Sequence, residues 1–175
     1  MARVVDAAFT LFAARGYDEV TVAEICAAAE IAPRTFFRYF PTKDDLLAEP
    51  ARVMAGQMRD ALRRVPPEVS DVEALRRALL EVGSAVLADR ERTAQRFRVV
   101  RSAATARSHP SLRLTDRERE LAGVLAGRRG GTDGGWRTRL LVARSTAAFR
   151  IWLDDLVDAP PPEALTHLRE VLDEP

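Results

Sequence analysis

Apolar residues recur three and four positions apart along most of the chain, the spacing that lines one face of an α-helix. The first helix is expected over roughly Arg3 to Ala14, with Val5, Ala8, Phe9 and Phe12 on one face and Gly16 as the left-handed residue just beyond its end. A second helix opens with Thr21-x-x-Glu24, a capping box in which each side chain satisfies the other's backbone donor, and Val20 and Ile25 stand at the positions of a hydrophobic staple. It runs to about Ala29. Glu30, Ile31 and Ala32 then form a tight turn, and Pro33 suits the first position of a third helix reaching Phe40. Phe36 and Phe40, four apart, point together into a small core. A fourth helix starts at Thr42, its cap, and carries Leu46, Leu47, Val53, Met54, Met58 and Leu62. Pro50 removes the bond to the Leu46 carbonyl, so this helix either kinks or restarts before Pro66-Pro67 end it.

The remaining chain continues in the same way. A fifth helix begins at a second box, Ser70-x-x-Glu73, with Val72, Leu75, Leu79, Val82 and Val86 in one stripe. A sixth covers about Glu91 to Ala106, with Phe97, Val100 and Ala104 inward. The seventh starts after His109-Pro110, or at Thr115-x-x-Glu118, and ends near Gly127. The glycine-rich run from Gly127 to Gly135 lacks the G-K-[ST] ending of a phosphate loop and reads as a mobile connection that binds nothing. The eighth helix, Trp136 to Val157, spreads Leu140, Leu141, Ala147, Ala148, Phe149, Ile151, Trp152, Leu153 and Leu156 over more than one face. The ninth follows Pro160–Pro162, with Leu165, Leu168 and Leu172 aligned. The expected fold is all-α with about nine helices: an N-terminal three-helix domain over residues 1–46 and a second helical domain over 47–175. One intrachain neighbour cannot cover so apolar an eighth helix. Helices eight and nine are therefore expected to pair with their copies in a homodimeric four-helix bundle.

Composition narrows the function classes. With 47% apolar and 30% charged residues, 175 positions can bury a real core. Cys26 is alone, so no intrachain disulfide or cysteine-based metal cage is available. No run spans a bilayer and no signal peptide opens the chain, so a cytoplasmic protein with no membrane partner is expected. Catalysis finds little support. His109 and His167 lie far apart in sequence, Cys26 has no evident base, and the neighbouring pairs Asp44-Asp45 and Asp154-Asp155 diverge on a helix. No metal spacing or nucleotide fingerprint occurs, so no cofactor or metal is expected. Net charge is +1 overall, and residues 1–49 carry five basic against eight acidic side chains, a net of −3. Bulk charge therefore does not announce a nucleic-acid binder.

The third helix argues otherwise. Opposite Phe36 and Phe40 it presents Arg34, Thr35, Phe37 and Arg38, with Tyr39 at the flank. Arginine can read guanine in a major groove, threonine can meet a thymine methyl, and tyrosine can reach phosphate. The run "LFAARGYDEVTVAEICAAAEIAPRTFFRYFPTKDDLL" resembles the helix-turn-helix of the TetR family of transcriptional regulators across nearly 40 residues. That resemblance implies a repressor released from a palindromic double-stranded operator by a small-molecule effector. It implies phosphate contacts at Thr21 and the start of the second helix, and base contacts at Arg34, Thr35 and Arg38. Pro33 opens the reading helix, and Phe37, Tyr39 and Lys43 are expected on backbone or methyl groups.

Three departures from the family pattern stand out. Glu30 replaces a common glycine, so the turn either holds a strained left-handed residue or takes another geometry. Phe37 replaces a common tyrosine, which removes one phosphate hydrogen bond. Only two residues precede Arg3, where members carry a basic arm, so either binding is weaker or the biological start lies upstream. The phrase "APRTFFRYFPTKDDLL", the arginine-rich "RFRVVRSAATARSHPSL" and the tryptophan-bearing eighth helix resemble members that answer to fatty acyl-coenzyme A. On that resemblance an acyl tail would lie among Met54, Met58, Phe97, Val100, Phe149 and Trp152, near Arg101. The alternative is a protein-interaction module of the same fold without DNA binding.

Overall fold

The computed structural model describes residues 1–103, 114–131 and 135–174. Among the described residues the chain forms nine α-helices: α1 (Ala2–Arg15), α2 (Val22–Ala29), α3 (Pro33–Tyr39), α4 (Glu49–Arg64), α5 (Asp71–Ala88), α6 (Arg90–Ser102), α7 (Leu114–Gly127), α8 (Trp136–Asp158) and α9 (Ala164–Asp173). No strand occurs among them. They divide into two compact units. The first holds residues 1–52 with the segment that starts at Glu91, and the second holds 53–90 with 113–175. The grouping differs from a simple division at residue 46, because α6 belongs with the N-terminal helices.

In the first unit α1 buries Val4, Val5, Ala8, Phe9 and Phe12, the expected face with Val4 added. Gly16 closes α1 at φ 89°, ψ 151°. Its φ is positive as expected, but its ψ is extended, so it is not the left-handed cap anticipated. The segment expected to begin the fourth helix at Thr42 is instead a short 3-10 helix, Asp44–Ala48. Thr42 does not cap it by accepting: its backbone N–H and hydroxyl both donate to Asp45 Oδ2, each at 2.8 Å. The α-helix proper restarts at Glu49, which places Pro50 in its first turn, where a missing N–H costs nothing. Of the two outcomes left open for Pro50, the restart is the one adopted.

The sixth helix corrects a second expectation. Its buried residues are Ala94 and Val99, with Ala103 just beyond the helix, while Phe97 is half-buried and Val100 packs at the edge of the core. Ala104, expected inward, lies outside the described residues. Val99 and Ala103 join the N-terminal core beside Phe9, Phe12, Phe36 and Phe40. Asp6 on α1 fixes the position by pairing with both Arg92 and Arg96, and the Arg96 guanidinium also lies over the Phe9 ring, 5.8 Å from its centroid.

In the second unit Ser70 accepts from Glu73 N at 3.3 Å, but the Glu73 carboxylate turns to Arg77 at 2.7 Å. Only half of the expected capping box forms. Val72 is 59% exposed rather than part of the stripe, and Ala74, Leu75, Ala78, Leu79, Val82, Gly83 and Val86 form the buried face of α5. Of the two starts open for the seventh helix, the His109-Pro110 stretch lies outside the described residues, and α7 begins at Leu114. Glu118 of the proposed box accepts from Thr146 on α8 at 3.0 Å. The segment after Gly127 is anchored where a free connection was expected: Arg128 Nη2 donates to the carbonyl of Pro66 at 2.6 Å, and both Arg128 and Arg129 lie 3.5 Å from Asp71. Residues 132–134 of that run lie outside the described ones. In α8, Val142, Phe149, Trp152, Leu153, Leu156 and Val157 are buried, and in α9 only Leu168 is.

The second core closes around Gly83. A Cβ there would fall inside the van der Waals envelope of Leu168 Cδ2 and lie 3.6 Å from Trp152 Cη2. Both side chains are fully buried, so neither has free space into which to retreat. Gly83→Val should therefore lower the free energy of unfolding by about 1–3 kcal/mol through overpacking, read as a reduced urea midpoint with unchanged slope.

Candidate nucleic-acid interface

The surface expected to read DNA rests on two pieces of local chemistry. At the start of α2 both halves of the capping box form. Glu24 N donates to Thr21 Oγ1 at 3.3 Å, and Glu24 Oε2 accepts from Thr21 N at 2.8 Å and from the Thr21 hydroxyl at 2.7 Å. Arg15 Nη1 adds a charged bond to Glu24 Oε1 at 2.6 Å. The Thr21 backbone donor, then Arg15 and the Thr21 hydroxyl, hold the Glu24 carboxyl down at about 2. Val20 and Ile25, the staple positions, are both buried.

The second piece is the turn between α2 and α3. Glu30 takes a left-handed conformation, φ 54° and ψ 46°, so the strained alternative is the one realised, at about 1–2 kcal/mol above a glycine. Ile31 N closes the turn by donating to Cys26 O at 3.0 Å. Arg3 Nη2, from the first turn of α1, donates to Ala29 O at 2.9 Å and to Glu30 Oε2 at 2.6 Å. Pro33 then opens α3 at its first position, as expected.

α3 turns Phe36 and Phe40 into the core, with ring centroids 5.4 Å apart, and points its other side outward. Pro33, Arg34 and Arg38 are exposed, Phe37 and Tyr39 are 52% and 48% exposed, and Thr35 is half-buried. Five of the six expected α3 contacts thus stand on the surface, with Thr35 at its edge. Arg38 is held in place: its guanidinium lies 4.7 Å from the Tyr39 ring centroid and donates to the Tyr39 hydroxyl at 3.0 Å. The helix carries two arginines and no acid. Five of the eight acids of residues 1–49 are engaged with partners: Asp6 with Arg92 and Arg96, Glu24 with Arg15, Glu30 with Arg3, Asp44 with the Tyr17 hydroxyl, and Asp45 with Thr42.

Lys43 holds a role that sequence reasoning missed. Its Nζ donates to Tyr17 O and Val20 O, each at 2.9 Å, and lies 4.2 Å from the Tyr17 ring centroid. The ammonium thus clamps the loop between α1 and α2, leaving one of its three protons for any other acceptor. Arg3 was likewise missed, and neither residue has a local signal: their partners lie 23 to 27 positions away. Cys26 is buried, which raises its thiol above the ordinary range and keeps it protonated.

The seven residues expected around an acyl ligand do not share one unit. Phe97, Val100 and Arg101 belong to the first, and Met54, Met58, Phe149 and Trp152 to the second. Met54 is half-buried and Met58 buried on α4. Phe149 and Trp152 pack with tilted rings, centroids 5.1 Å apart, and Trp152 Nε1 donates to Ala164 O at 2.7 Å, so this pair forms the core joining α8 to α9.

A capped helix, a tight turn and a seven-residue helix with one face outward have the arrangement of a helix-turn-helix. The profile of the bacterial regulatory proteins of the tetR family matches residues 4–49, and that of the MftR C-terminal domain matches residues 69–174. The chain belongs to the TetR family, in the branch with an MftR-type C-terminal domain. It is 27% identical over 154 residues to a Mycobacterium tuberculosis protein described as a mycofactocin biosynthesis transcriptional regulator, MftR, spanning 86% of this chain and 78% of that one. It is 29% identical over 151 residues to the HTH-type transcriptional regulator TcmR of Streptomyces glaucescens, spanning 82% and 67%. In fold it matches the TetR-family repressor FadR of Thermus thermophilus, solved with lauroyl-CoA, at a TM-score of 0.61 and 22% identity over 98% of this chain and 90% of that one. A TetR regulator from Rhodococcus matches with the same TM-score at 19% identity, over 98% and 93%. The relatives matched in sequence are transcriptional regulators, and no helix among the described residues is long and apolar enough to cross a membrane.

Two outcomes follow from the local chemistry. Lys43→Met should destabilise the protein by about 2 kcal/mol, because it strands two carbonyls bonded to a charged donor, and thermal unfolding reads the loss. Glu24 has a folded value far below its ordinary 4.5, so its ionised form stabilises the fold fully above that pH. The stability advantage of the protein over Glu24→Gln should be constant from pH 7 to about 4.5 and shrink progressively toward pH 2, measured by denaturant titration at each pH.

Proposed function

We propose that the chain is a ligand-responsive, homodimeric repressor that reads a palindromic operator with the outward face of α3. Residues 1–46 carry DNA binding, and 47–175 carry effector response and dimerisation. One observation carries the reading: Phe36 and Phe40 hold the helix from one side while Arg34, Phe37, Arg38 and Tyr39 stand exposed on the other. Arg34 and Thr35 face base edges. Arg38 is already tied to Tyr39, so the two act as one unit, with the Tyr39 hydroxyl free to donate to phosphate. The last proton of Lys43 meets the backbone at the start of α2, and Thr21, whose N–H and hydroxyl both donate to Glu24, meets it by giving up one of those bonds.

Two such helices must stand about 34–36 Å apart to enter successive major grooves. A dimer supplies this spacing, and α8 supports the dimer: Trp136, Leu140 and Ile151 are 61%, 61% and 52% exposed, too apolar a set on one helix to leave in water. An effector that prefers a subunit arrangement with a different spacing would release the DNA. An apolar or acyl-type molecule is the effector class we favour, supported by the lauroyl-CoA complex of the Thermus thermophilus neighbour. Of the seven residues expected around such a molecule, Met54 and Met58 on α4 lie outside the Phe149–Trp152 pair. The reading as an interaction module without DNA binding would leave the exposed arginines of α3 without a task.

Footprinting on DNA flanking the gene tests the reading, with protection in two half-sites expected and none under the interaction-module alternative. Arg34→Ala should lose about 1–3 kcal/mol of discrimination at one base pair per half-site. A uniform loss over all sequences would assign Arg34 to phosphate. Leu140→Glu should convert a dimer to a monomer in sedimentation velocity, and an unchanged sedimentation coefficient would remove α8 from the interface. Heat on titration with long-chain acyl-CoA, accompanied by DNA release, identifies the effector class.

A further inference from the structure

Glu30 is the only non-glycine residue with positive φ among those described, and its strain obtains little stability in return. Its carboxylate binds Arg3 at 2.6 Å, but the two side chains are 79% and 71% exposed, and a pair so open to water contributes weakly. Glycine would make the same turn without strain. The placement is therefore better explained by charge than by folding. Glu30 lies three residues before Pro33, so it is within roughly 11 Å of the first residue of α3 by chain length alone. That end of a recognition helix approaches the duplex in helix-turn-helix proteins. A carboxylate there repels phosphate and also occupies the Arg3 guanidinium, a cation that would attract it.

We propose that Glu30 stands in for a phosphate in the free protein, and that Arg3 exchanges it for the DNA backbone on binding. Arg3 thereby becomes a phosphate contact, and Glu30 a built-in competitor that weakens it. The exchange is chemically even: a guanidinium presents the same donors to a carboxylate and to a phosphate, and no proton moves. Arg3 keeps a second anchor throughout, because Ala29 O accepts from the same Nη2 at 2.9 Å, so the side chain remains at the turn while its charged partner changes. The inference rests on the DNA-binding reading above.

Fluorescence anisotropy on a duplex recovered by footprinting, repeated across salt concentrations, tests it. R3A should weaken binding and lower the slope of log affinity against log salt by about 0.9, as expected when one fewer phosphate is neutralised. E30Q should tighten binding several-fold at low salt. E30G should tighten it similarly while raising the melting temperature, which separates relief of competition from relief of strain. Unchanged salt slope in R3A, or affinity in E30Q and E30G equal to or below that of the unaltered protein, would overturn the proposal. R3A is read beside its melting curve, and if it does not fold, the two Glu30 variants decide the matter alone. Failure of the underlying reading looks different: the unaltered protein would then show no preference for the footprinted duplex over a scrambled one, and R34A would match it.

Discussion

A helix of seven residues is too short to persist in water by its own hydrogen bonds, so α3 exists because Phe36 and Phe40 anchor it. Both rings are fully buried, and they join a cluster built from Phe9, Phe12, Tyr17, Ile25, Leu46 and Leu47. Everything proposed for the outward face depends on this one-sided attachment. It fixes the direction of Arg34 and Arg38 without using either to anchor the helix, although Arg38 is tied to its neighbour Tyr39 on the same outward face. An arginine that had to hold the helix in place could not also read a base.

The same division of labour explains a net negative domain that is proposed to approach DNA. Acidic side chains crowd residues 1–49, yet Asp6, Glu24, Glu30, Asp44 and Asp45 each engage a named partner, and none sits on α3. Local arrangement outweighs total charge because phosphate contacts are made within a few ångströms, and charges beyond a Debye length of about 8 Å are screened at physiological salt. Asp6 has a further consequence. By holding Arg92 and Arg96 it ties α1 to α6, so a displacement of α6 would be felt by the helix whose Arg3 grips the α2–α3 turn.

What could be read from the sequence was what neighbours in sequence decide. The Thr21–Glu24 box, the proline at the start of α3 and the inward pair Phe36 and Phe40 all follow from spacings of three or four residues, and all are found. Pattern failed where geometry at a helix end or a distant partner decides. Val72 fits the stripe of α5 by spacing but stands 59% exposed in the first turn, while Ala74 of the same turn is buried. In α6 the larger Phe97 and Val100 looked like the core face, whereas Ala94 and Val99 are the buried residues, and Val99 and Ala103 are the ones that join the N-terminal core. Lys43 was expected only at the DNA backbone or methyl groups, and its clamp on the carbonyls of Tyr17 and Val20 had no local signal because they lie more than twenty residues away. Arg128 looked like part of an idle loop for the same reason, its acceptor being Pro66.

The most direct test is a crystal structure of the protein on a duplex enriched from a random library. The account predicts α3 lying in the major groove of each half-site, with Arg34 and Thr35 within contact distance of base edges and Phe36 and Phe40 still buried beneath them. A duplex held by some other surface, with the outward side of α3 facing solvent or protein, would contradict it.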